Sequence, residues 1–293
     1  MQSDQGGRPL VAWSLEQAYD AYPRIEEQFE ADLDVSPSPR GSNMLFELVA
    51  NMKLARGAVA LDVGSGEGAH AMRLAERFGL RVTGIDPVAR HIAVAQAAAR
   101  DIEGAAAPDF VLGTVEQLPI DDATVDLLWC RDVLVHVEDL AEAYREIRRV
   151  LKPRGRALIY QMFAGPNLEP GEAAWLWTTM GVVPASADPA PTEAAIAASG
   201  LCISERIDLG SEWGEFAQEA SGRPGRKLLH AARLQRQKDT FVDRYGQAAY
   251  DMMLGDCLWH VYAMIGKLVR RVYLLSAPAE LDGSGPGRAT VEP

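Results

Sequence analysis

Cysteine is scarce in this sequence of 293 residues, which holds only three. Cys130, Cys202 and Cys257 stand far apart along the chain and lie in apolar or mixed segments. Cysteines placed in this way indicate neither a disulfide framework nor a zinc site. We expect buried or incidental thiols and no metal.

Long apolar runs are missing as well. No stretch reaches the roughly 18 consecutive apolar residues that a membrane-spanning helix needs. The N-terminus from Met1 to Pro9 is polar and lacks the apolar core of a signal peptide. The sequence therefore predicts a cytoplasmic protein with no membrane partner.

Positive charge is in deficit. The chain carries 29 Lys and Arg residues against 41 Asp and Glu residues, a formal net charge of -12, and no basic stripe offsets this locally. Phosphate binding depends on clustered positive charge, so we expect no nucleic-acid partner. We expect a small-molecule substrate instead, and the composition leaves a homo-oligomer open.

What the sequence does contain is a regular alternation of short apolar runs with segments of helical period. A hydrophobic content of 48% gives the chain ample material for a core. The alternation predicts an α/β fold, a Rossmann-like doubly wound and mostly parallel seven-stranded sheet with helices on both faces. The predicted strands are Val59–Val63, Arg81–Ile85, Phe110–Leu112, Val125–Trp129, Arg156–Phe163, Cys202–Leu209 and Leu268–Ser276.

Helical and loop-like segments flank this alternation. A helical pattern from Ser14 to Leu33 and the breaker run Ser36–Gly41 predict an N-terminal helical cap and linker over residues 1–42. The main domain is predicted over residues 43–276, with a helical insertion before the last strand. Further predictions are lid or substrate insertions at 164–191 and 215–258, a surface connection at Pro184–Pro191, and a flexible tail at 277–293.

The run from Leu61 to Gly68 lies where the first strand passes into a helix. Glycines there let the backbone approach a ligand closely, and the start of the helix attracts a carboxylate or a phosphate. Asp86 ends the second strand, where its carboxylate could accept both hydroxyls of a ribose or could instead cap the next helix. Gly64, Gly66 and Ala69 also fit the dinucleotide pattern G-x-G-x-x-A, so a nicotinamide enzyme stays open at this point.

Four stretches of the sequence carry a family resemblance together. They are Ala60–Gly68, Val82–Asp86, Gly113–Pro119, and Val125–Trp129 with Val133–Val137 behind it. As a set they resemble the class I S-adenosylmethionine-dependent methyltransferases, in particular the small-molecule branch. The turn Val150–Gly155 is also typical of that family.

The resemblance implies S-adenosylmethionine as the cofactor. The family commonly has an acidic residue where this chain has Thr114, but a hydroxyl can still accept a hydrogen bond from the adenine amine. The implied contacts are Asp62, Gly64, Ser65 and Gly66 at the methionine end, the backbone around Cys130 and Arg131 at its amino group, Asp86 at the ribose, and Thr114, Val115 and Glu116 at the adenine.

Candidates for the acceptor side come from their positions. Transfer from an activated sulfonium needs alignment and exclusion of water, and a base helps if the acceptor is a hydroxyl or an acidic carbon. His136, just beyond the fourth strand, is the candidate catalytic base, with loop ordering or a cofactor contact as the alternative. Tyr22, Tyr160 and Trp175 are candidate substrate contacts, and each of them could instead fill a core.

The sequence thus predicts methyl transfer to a small, apolar or aromatic metabolite in secondary metabolism, with an oxygen, nitrogen or carbon acceptor undecided. One alternative is a protein that binds S-adenosylmethionine but acts as a cyclase or a scaffold. A nicotinamide-dependent oxidoreductase is another. We expect His91 and His230 on helix surfaces and His260 in packing.

Overall fold

The computed structural model describes residues 13–34, 40–100, 102 and 107–279. The polar segment Met1–Pro9, most of the predicted breaker run Ser36–Gly41 and most of the predicted tail 277–293 lie outside these ranges. The chain divides into two units, residues 1–39 and residues 40–293.

In the first unit, the described residues form one helix, α1 (Leu15–Leu33). Ser14 caps it in a capping box with Gln17, because each side chain accepts a hydrogen bond from the other residue's amide. Pro23 lies inside the helix. The helix predicted from Ser14 to Leu33 is therefore confirmed, and several of its large apolar side chains, including Tyr19 and Phe29, are exposed.

In the second unit, a seven-stranded sheet has the order β3-β2-β1-β4-β5-β7-β6. β7 runs antiparallel to both of its neighbours, and every other pair of strands is parallel. The predicted mostly parallel, doubly wound sheet is confirmed. The strands are β1 (Val59–Val63), β2 (Arg81–Asp86), β3 (Asp109–Leu112), β4 (Val125–Arg131), β5 (Leu151–Ala164), β6 (Cys202–Leu209) and β7 (Leu268–Ser276).

Helices cover both faces of the sheet and form the insertion that was predicted before the last strand. Short 3₁₀ helices occur at Leu134–His136 and Pro184–Ala187. The α-helices of this unit are α2 (Asn43–Asn51), α3 (Ala69–Phe78), α4 (Ala89–Arg100), α5 (Leu140–Val150), α6 (Pro170–Met180), α7 (Pro189–Ala198), α8 (Glu212–Ser221), α9 (Arg223–Arg236), α10 (Lys238–Tyr245) and α11 (Gln247–Met264).

Alternation of side chains along the strands divides the core into two layers. Leu61 and Leu128 pack on the face that α5 covers, whereas Ala60 and Trp129 pack on the face that α3 covers. All four side chains are buried. The strands therefore carry apolar residues on both faces, as a parallel sheet between two layers of helices requires.

Two local predictions are wrong. The segment Pro184–Pro191 is not a surface connection, because it forms a 3₁₀ helix and the start of α7, and Ser186 within it is fully buried. β5 begins at Leu151 and includes the predicted turn at 152–155 as an irregularity in its pairing with β4.

Two expected absences can be compared with the described residues. None of the helices in this part of the chain is long and apolar enough to cross a membrane. The same residues contain no cluster of His, Cys, Asp and Glu side chains suited to a metal ion. All three cysteines are free; Cys130 and Cys257 are buried and Cys202 is exposed.

Candidate functional site

The site lies where the strand order reverses, between β1 and β4. In open α/β sheets, ligands bind at the carboxyl ends of the strands at such a point. A cavity of about 520 Å³ opens there, and we call it the first cavity. Its lining includes Gly64, Gly66, Asp86, His91, Thr114, Val115, Glu116, Arg131, Asp132, Val133 and His136.

The glycine turn after β1 requires glycine for two different reasons. Gly64 has a φ of 72°, and a Cβ on it would overlap Cγ2 of Val133. Gly66 has a φ of 53°, and a Cβ on it would meet no described atom within 4 Å. Gly64 therefore allows close packing against the loop after β4, whereas Gly66 keeps space open beside the first cavity.

The amides of this turn already have acceptors. Gly64 and Ser65 both donate to the carbonyl of Ile85, at 2.8 and 3.0 Å. Gly66 donates to Oδ2 of Asp86 at 2.9 Å. The turn is thus tied to the end of β2, and these three N–H groups are committed within the protein.

Asp86 combines the two roles that the sequence left open. Its Oδ1 accepts a hydrogen bond from the amide of Val88 at 2.9 Å, ahead of α4, and lies 3.1 Å from Nδ1 of His91. A carboxylate offers about four acceptor positions, so these contacts leave capacity for a ligand at the cavity wall. His91 lies on α4 with a partly exposed side chain, as predicted for a helix-surface residue, and it also lines the first cavity.

Asp62 and Ser65 lie buried in the turn rather than on the cavity wall. Oδ2 of Asp62 and Oγ of Ser65 have no hydrogen-bond partner in the described chain. Burial raises the pKa of Asp62 to about 7, with a further rise from Asp86, while a hydrogen bond from the backbone of Ala71 and the charge of Arg131 oppose the rise. Two polar atoms under the glycine turn are therefore available to a ligand or a water molecule.

Arg131 ends β4 and is held by a neutral histidine. Its Nη1 donates to Nε2 of His70 at 2.8 Å. Burial lowers the pKa of His70 to about 4, helped by the charges of Arg131 and Arg73. Because an uncharged imidazole can accept at Nε2, this bond fixes the guanidinium of Arg131 at the wall of the first cavity.

His136 lies in the 3₁₀ helix after β4 and lines the first cavity. Its Nδ1 donates to the carbonyl of Gly181 at 2.8 Å. This bond places the proton on Nδ1, so Nε2 carries the lone pair. The ring can therefore accept a proton or a hydrogen bond, and it also ties the loop after β4 to the end of α6.

A second cavity, of about 320 Å³, shares Arg131 and Asp132 with the first. Tyr160 lines it, so this predicted substrate residue lies at a cavity, while the next residue, Gln161, is buried on the other side of the sheet. The other lining residues are Met162, Trp213, Gly214, Ala217, Arg223, Pro224, Trp259, His260 and Arg270.

Asp132 is a residue that sequence reasoning missed. It has a φ of 58°, a left-handed conformation that costs a non-glycine residue on the order of 1 kcal/mol or more, and its amide donates to the carbonyl of Tyr160 at 2.9 Å. Asp132 lines both cavities, and 41% of its side chain is exposed while the rest is enclosed by protein. Loss of hydration on the enclosed side raises the pKa of Asp132, and the charges of Arg131, Arg270 and His136 oppose this rise.

The two other predicted substrate contacts are Trp175 and Tyr22. Trp175 on α6 is partly buried against the apolar clusters that α6, α9 and α11 form, and it is absent from the walls of both cavities as described. Tyr22 belongs to the first unit, where it is exposed and its hydroxyl donates to Glu26 at 3.3 Å. A role for Tyr22 stays a prediction.

Comparison with known sequences identifies the central part of the chain. Residues 61–159 match a family model described as a methyltransferase domain. The chain is 33% identical over 126 residues to the O-methyltransferase rstn1 of Aspergillus nomiae, covering 42% of this chain and 56% of that one. It is 43% identical over 100 residues to the ubiquinone/menaquinone biosynthesis C-methyltransferase UbiE of Rubrivivax gelatinosus, covering 34% of this chain and 37% of that one. It thus spans little more than half of the first relative and less than half of the second.

Comparison with solved structures shows the same fold. The cyclase SpnF superimposes with a TM-score of 0.64 at 23% identity, over 93% of this chain and 100% of that one. Phosphoethanolamine N-methyltransferase 2 of Haemonchus contortus, in complex with S-adenosyl-L-methionine, gives 0.61 at 20% identity, over 93% and 61%. The family match includes the glycine turn and Asp86, and the matched description is that of a methyltransferase domain rather than of a nicotinamide enzyme.

Proposed function

We propose that this chain, whose residues 61–159 match a methyltransferase domain, is a class I S-adenosylmethionine-dependent methyltransferase that transfers a methyl group to a small organic acceptor. The observation that carries the proposal is the pair of adjoining cavities, which share Arg131 and Asp132 as a common wall. Methyl transfer needs two compartments that meet at the reacting atoms. The first cavity would hold the cofactor and the second the acceptor.

The residues of the first cavity suit S-adenosylmethionine. The space kept open at Gly66 would admit the methionine end, and Asp62 and Ser65, buried beneath the turn behind the cavity wall, would supply polar atoms on that side of it. Asp86 would hold the ribose, and Thr114 to Glu116 the adenine. When bound, the cofactor supplies an electrophilic methyl group on a sulfonium.

The second cavity supports a small acceptor with an apolar part, because Met162, Trp213 and Trp259 line it. The wall also receives Ala217, Arg223 and Pro224 from the predicted insertion 215–258, in line with a substrate role for that segment. An apolar or aromatic metabolite fits these walls. Neither Trp175 nor any other residue of the predicted insertion 164–191 lines the second cavity, so the cavity does not support a substrate role for them.

Asp132 is the side chain best placed to take a proton from the acceptor, since it faces both cavities, whereas His136 lines only the first among those described. The acceptor atom would form a bond to the methyl carbon as the carbon–sulfur bond breaks, and its proton would pass to a carboxylate oxygen of Asp132. A raised pKa suits a carboxylate to this role because it makes the oxygen more basic.

Cofactor binding is tested by calorimetry with S-adenosylmethionine and its demethylated product. We expect both to bind, and Asp86→Ala to weaken binding by roughly 1 to 3 kcal/mol, as lost charge-assisted hydrogen bonds do. Asp86→Asn keeps an oxygen that can accept the hydrogen bond from the amide of Gly66. Comparison of the two variants therefore separates the loss of a ligand contact from a disturbance of the glycine turn. Glu76→Ala, on the exposed side of α3, is the matched control. A folded protein that binds neither compound would end the proposal.

The role of Asp132 is tested once labelled methyl transfer to a panel of metabolites has given an acceptor. Asp132→Asn should lower kcat by about 100-fold or more while leaving the affinity for the demethylated cofactor nearly unchanged. The rate of the parent protein should fall as the pH falls through the pKa of Asp132, because the protonated acid cannot accept a proton. An unchanged kcat in Asp132→Asn would show that Asp132 is not the base, and that either His136 takes the proton or the reaction needs no base.

A cyclase is the second candidate, because SpnF, whose name records a cyclase, shares the fold over nearly the whole chain. The two functions differ in one measurement. A cyclase would convert its substrate with the cofactor unchanged, whereas a methyltransferase yields one demethylated cofactor for each labelled product.

A further inference from the structure

The second cavity has a charge opposite to that of the whole chain. Three arginines, Arg131, Arg223 and Arg270, line it against a single carboxylate, Asp132. The protein as a whole carries a formal net charge of -12. Guanidinium groups gathered in a cavity of an acidic protein create a local field that attracts an anion.

Arg270 on β7 gives the clearest sign of a missing partner. It pairs in register with Met162 of β5, and both side chains line the second cavity. Its Nη1 is buried and has no hydrogen-bond partner among the described residues. An unsatisfied buried guanidinium nitrogen is costly, so its retention points to a ligand that satisfies it.

Arg271, the next residue on β7, is an arginine with a structural role. Arg271 points to the opposite face of β7, where it forms ion pairs with Asp208 and Glu193 and donates to the hydroxyl of Tyr273. These partners account for Arg271 without any ligand. Arg270 forms no ion pair of this kind among the described residues; its side chain hydrogen-bonds Tyr160, and its charge acts on Asp132 from a greater distance.

Arg131 supplies a second unsatisfied donor at the same cavity. Its Nε is buried without a hydrogen-bond partner in the described chain, and it lies 3.6 Å from Oδ2 of Asp132, beyond a hydrogen bond. Its guanidinium carbon lies 5.5 Å from the ring centre of Tyr160 and 5.8 Å from that of Trp213. Aromatic walls and unsatisfied cationic donors thus occur side by side.

We propose that the second cavity binds its acceptor through an anionic group, a carboxylate or a phosphate, held by Arg270 and Arg131. The apolar part of the acceptor would pack against Trp213 and Trp259, and its nucleophile would lie beside Asp132. This inference rests on the proposed function for the identity of the ligand as an acceptor, but anion binding itself can be measured without any reaction.

The test uses four aromatic probes that differ in charge. Benzoate and phenyl phosphate carry the two anionic groups, and benzamide and benzyl alcohol are neutral counterparts. Calorimetry on the full chain, with and without the demethylated cofactor, should show binding of the anions and at least tenfold weaker binding of the neutral probes. The anionic group of the probe that binds more tightly identifies the chemical class of the acceptor. Equal binding of charged and neutral probes would overturn the proposal.

Three variants locate the site. Arg270→Met should weaken anion binding by about tenfold to a hundredfold, as loss of a charged hydrogen-bond donor does, and Arg270→Lys should restore part of it. Arg226→Met removes a charge from an exposed position on α9 outside the cavity lining, and should change little. Equal losses in Arg270→Met and Arg226→Met would refute a site at Arg270.

Binding of the demethylated cofactor to the same variants separates this inference from the proposed function. Retained cofactor binding shows that Arg270→Met is folded, so a loss of anion binding alone supports the site. If no protein binds the cofactor but anion binding still depends on Arg270, the methyltransferase proposal fails and the anion site stands. If the cofactor binds and no anion does, the anion site fails alone.

Discussion

At the scale of one residue, Asp62 is a buried carboxyl whose ionisation costs the protein stability. Its carboxylate is buried under the glycine turn, and its pKa of about 7 lies above the ordinary value of 3.8. A raised pKa means that folding favours the protonated acid. The cost of ionising it in the folded state therefore grows as the pH rises from about 3.8 to 7 and then stays constant.

Replacing this charge should stabilise the protein and impair its site. Asp62→Asn is expected to raise the free energy of unfolding by up to roughly 4 kcal/mol at about pH 8, and by clearly less at about pH 5.5. Urea titrations at both pH values measure this, and calorimetry should show weaker binding of the demethylated cofactor. Asp109→Asn, on an exposed strand position, is the control. A gain that is the same at both pH values would mean that the pKa of Asp62 is ordinary.

The sequence predicts residues well where one short motif brings them together. Gly64, Gly66 and Asp86 reach the first cavity because the first two follow β1 and the third ends the adjacent β2. Trp213 and Arg270 reach the second cavity because α8 packs there and β7 pairs with β5. No local sequence pattern predicts these long-range contacts. Asp132 had a positional signal, since it follows β4, but sequence reasoning assigned that place to the backbone around Arg131.

At the scale of elements, α5 holds the loop that follows the cavity-lining residues Thr114–Glu116. Arg149 donates to the carbonyls of Leu118 and Ile120, at 2.9 and 2.7 Å, and forms ion pairs with Glu146 and Asp122. Glu146 in turn accepts from the amide of Leu118 at 2.8 Å. One helix thus fixes the backbone that follows Thr114–Glu116 through both donors and acceptors.

Loss of this arginine should loosen the loop. Arg149→Met is expected to destabilise the protein by about 1 to 3 kcal/mol and to speed amide hydrogen exchange at Leu118, because several hydrogen bonds are lost together. Arg145→Met is the control, since that residue forms an exposed pair with Glu142 on the same helix. Unchanged exchange at Leu118 in Arg149→Met would show that other contacts hold the loop.

At the scale of the whole molecule, the last strand in the chain occupies an interior place in the sheet. β7 lies between β5 and β6 and pairs with both. It also contributes Val272 and Tyr273 to the two core layers. The alternation of apolar runs along the sequence predicts where the strands lie. The position of β7 between β5 and β6 depends on tertiary packing, which the apolar pattern of one strand does not encode.

A fragment ending at residue 266 should therefore fail to fold. Without β7, both β5 and β6 lose a neighbour and the sheet loses buried side chains on both faces. Circular dichroism and urea titration should show no cooperative transition, and the peptide 267–279 added in trans is expected to restore some of it. A fragment that unfolds cooperatively by itself would show that β7 is an addition to a finished core.

The central position of β7 also bears on how the protein is made. A ribosome delivers the strands in chain order, so β5 and β6 emerge long before the strand that joins them. During that interval the growing chain exposes the strand edges that will later pair with β7, and the second cavity is unfinished because Arg270 has not been synthesised. Completion of the sheet therefore waits for translation past residue 276, and until then the exposed strand edges can pair with other chains.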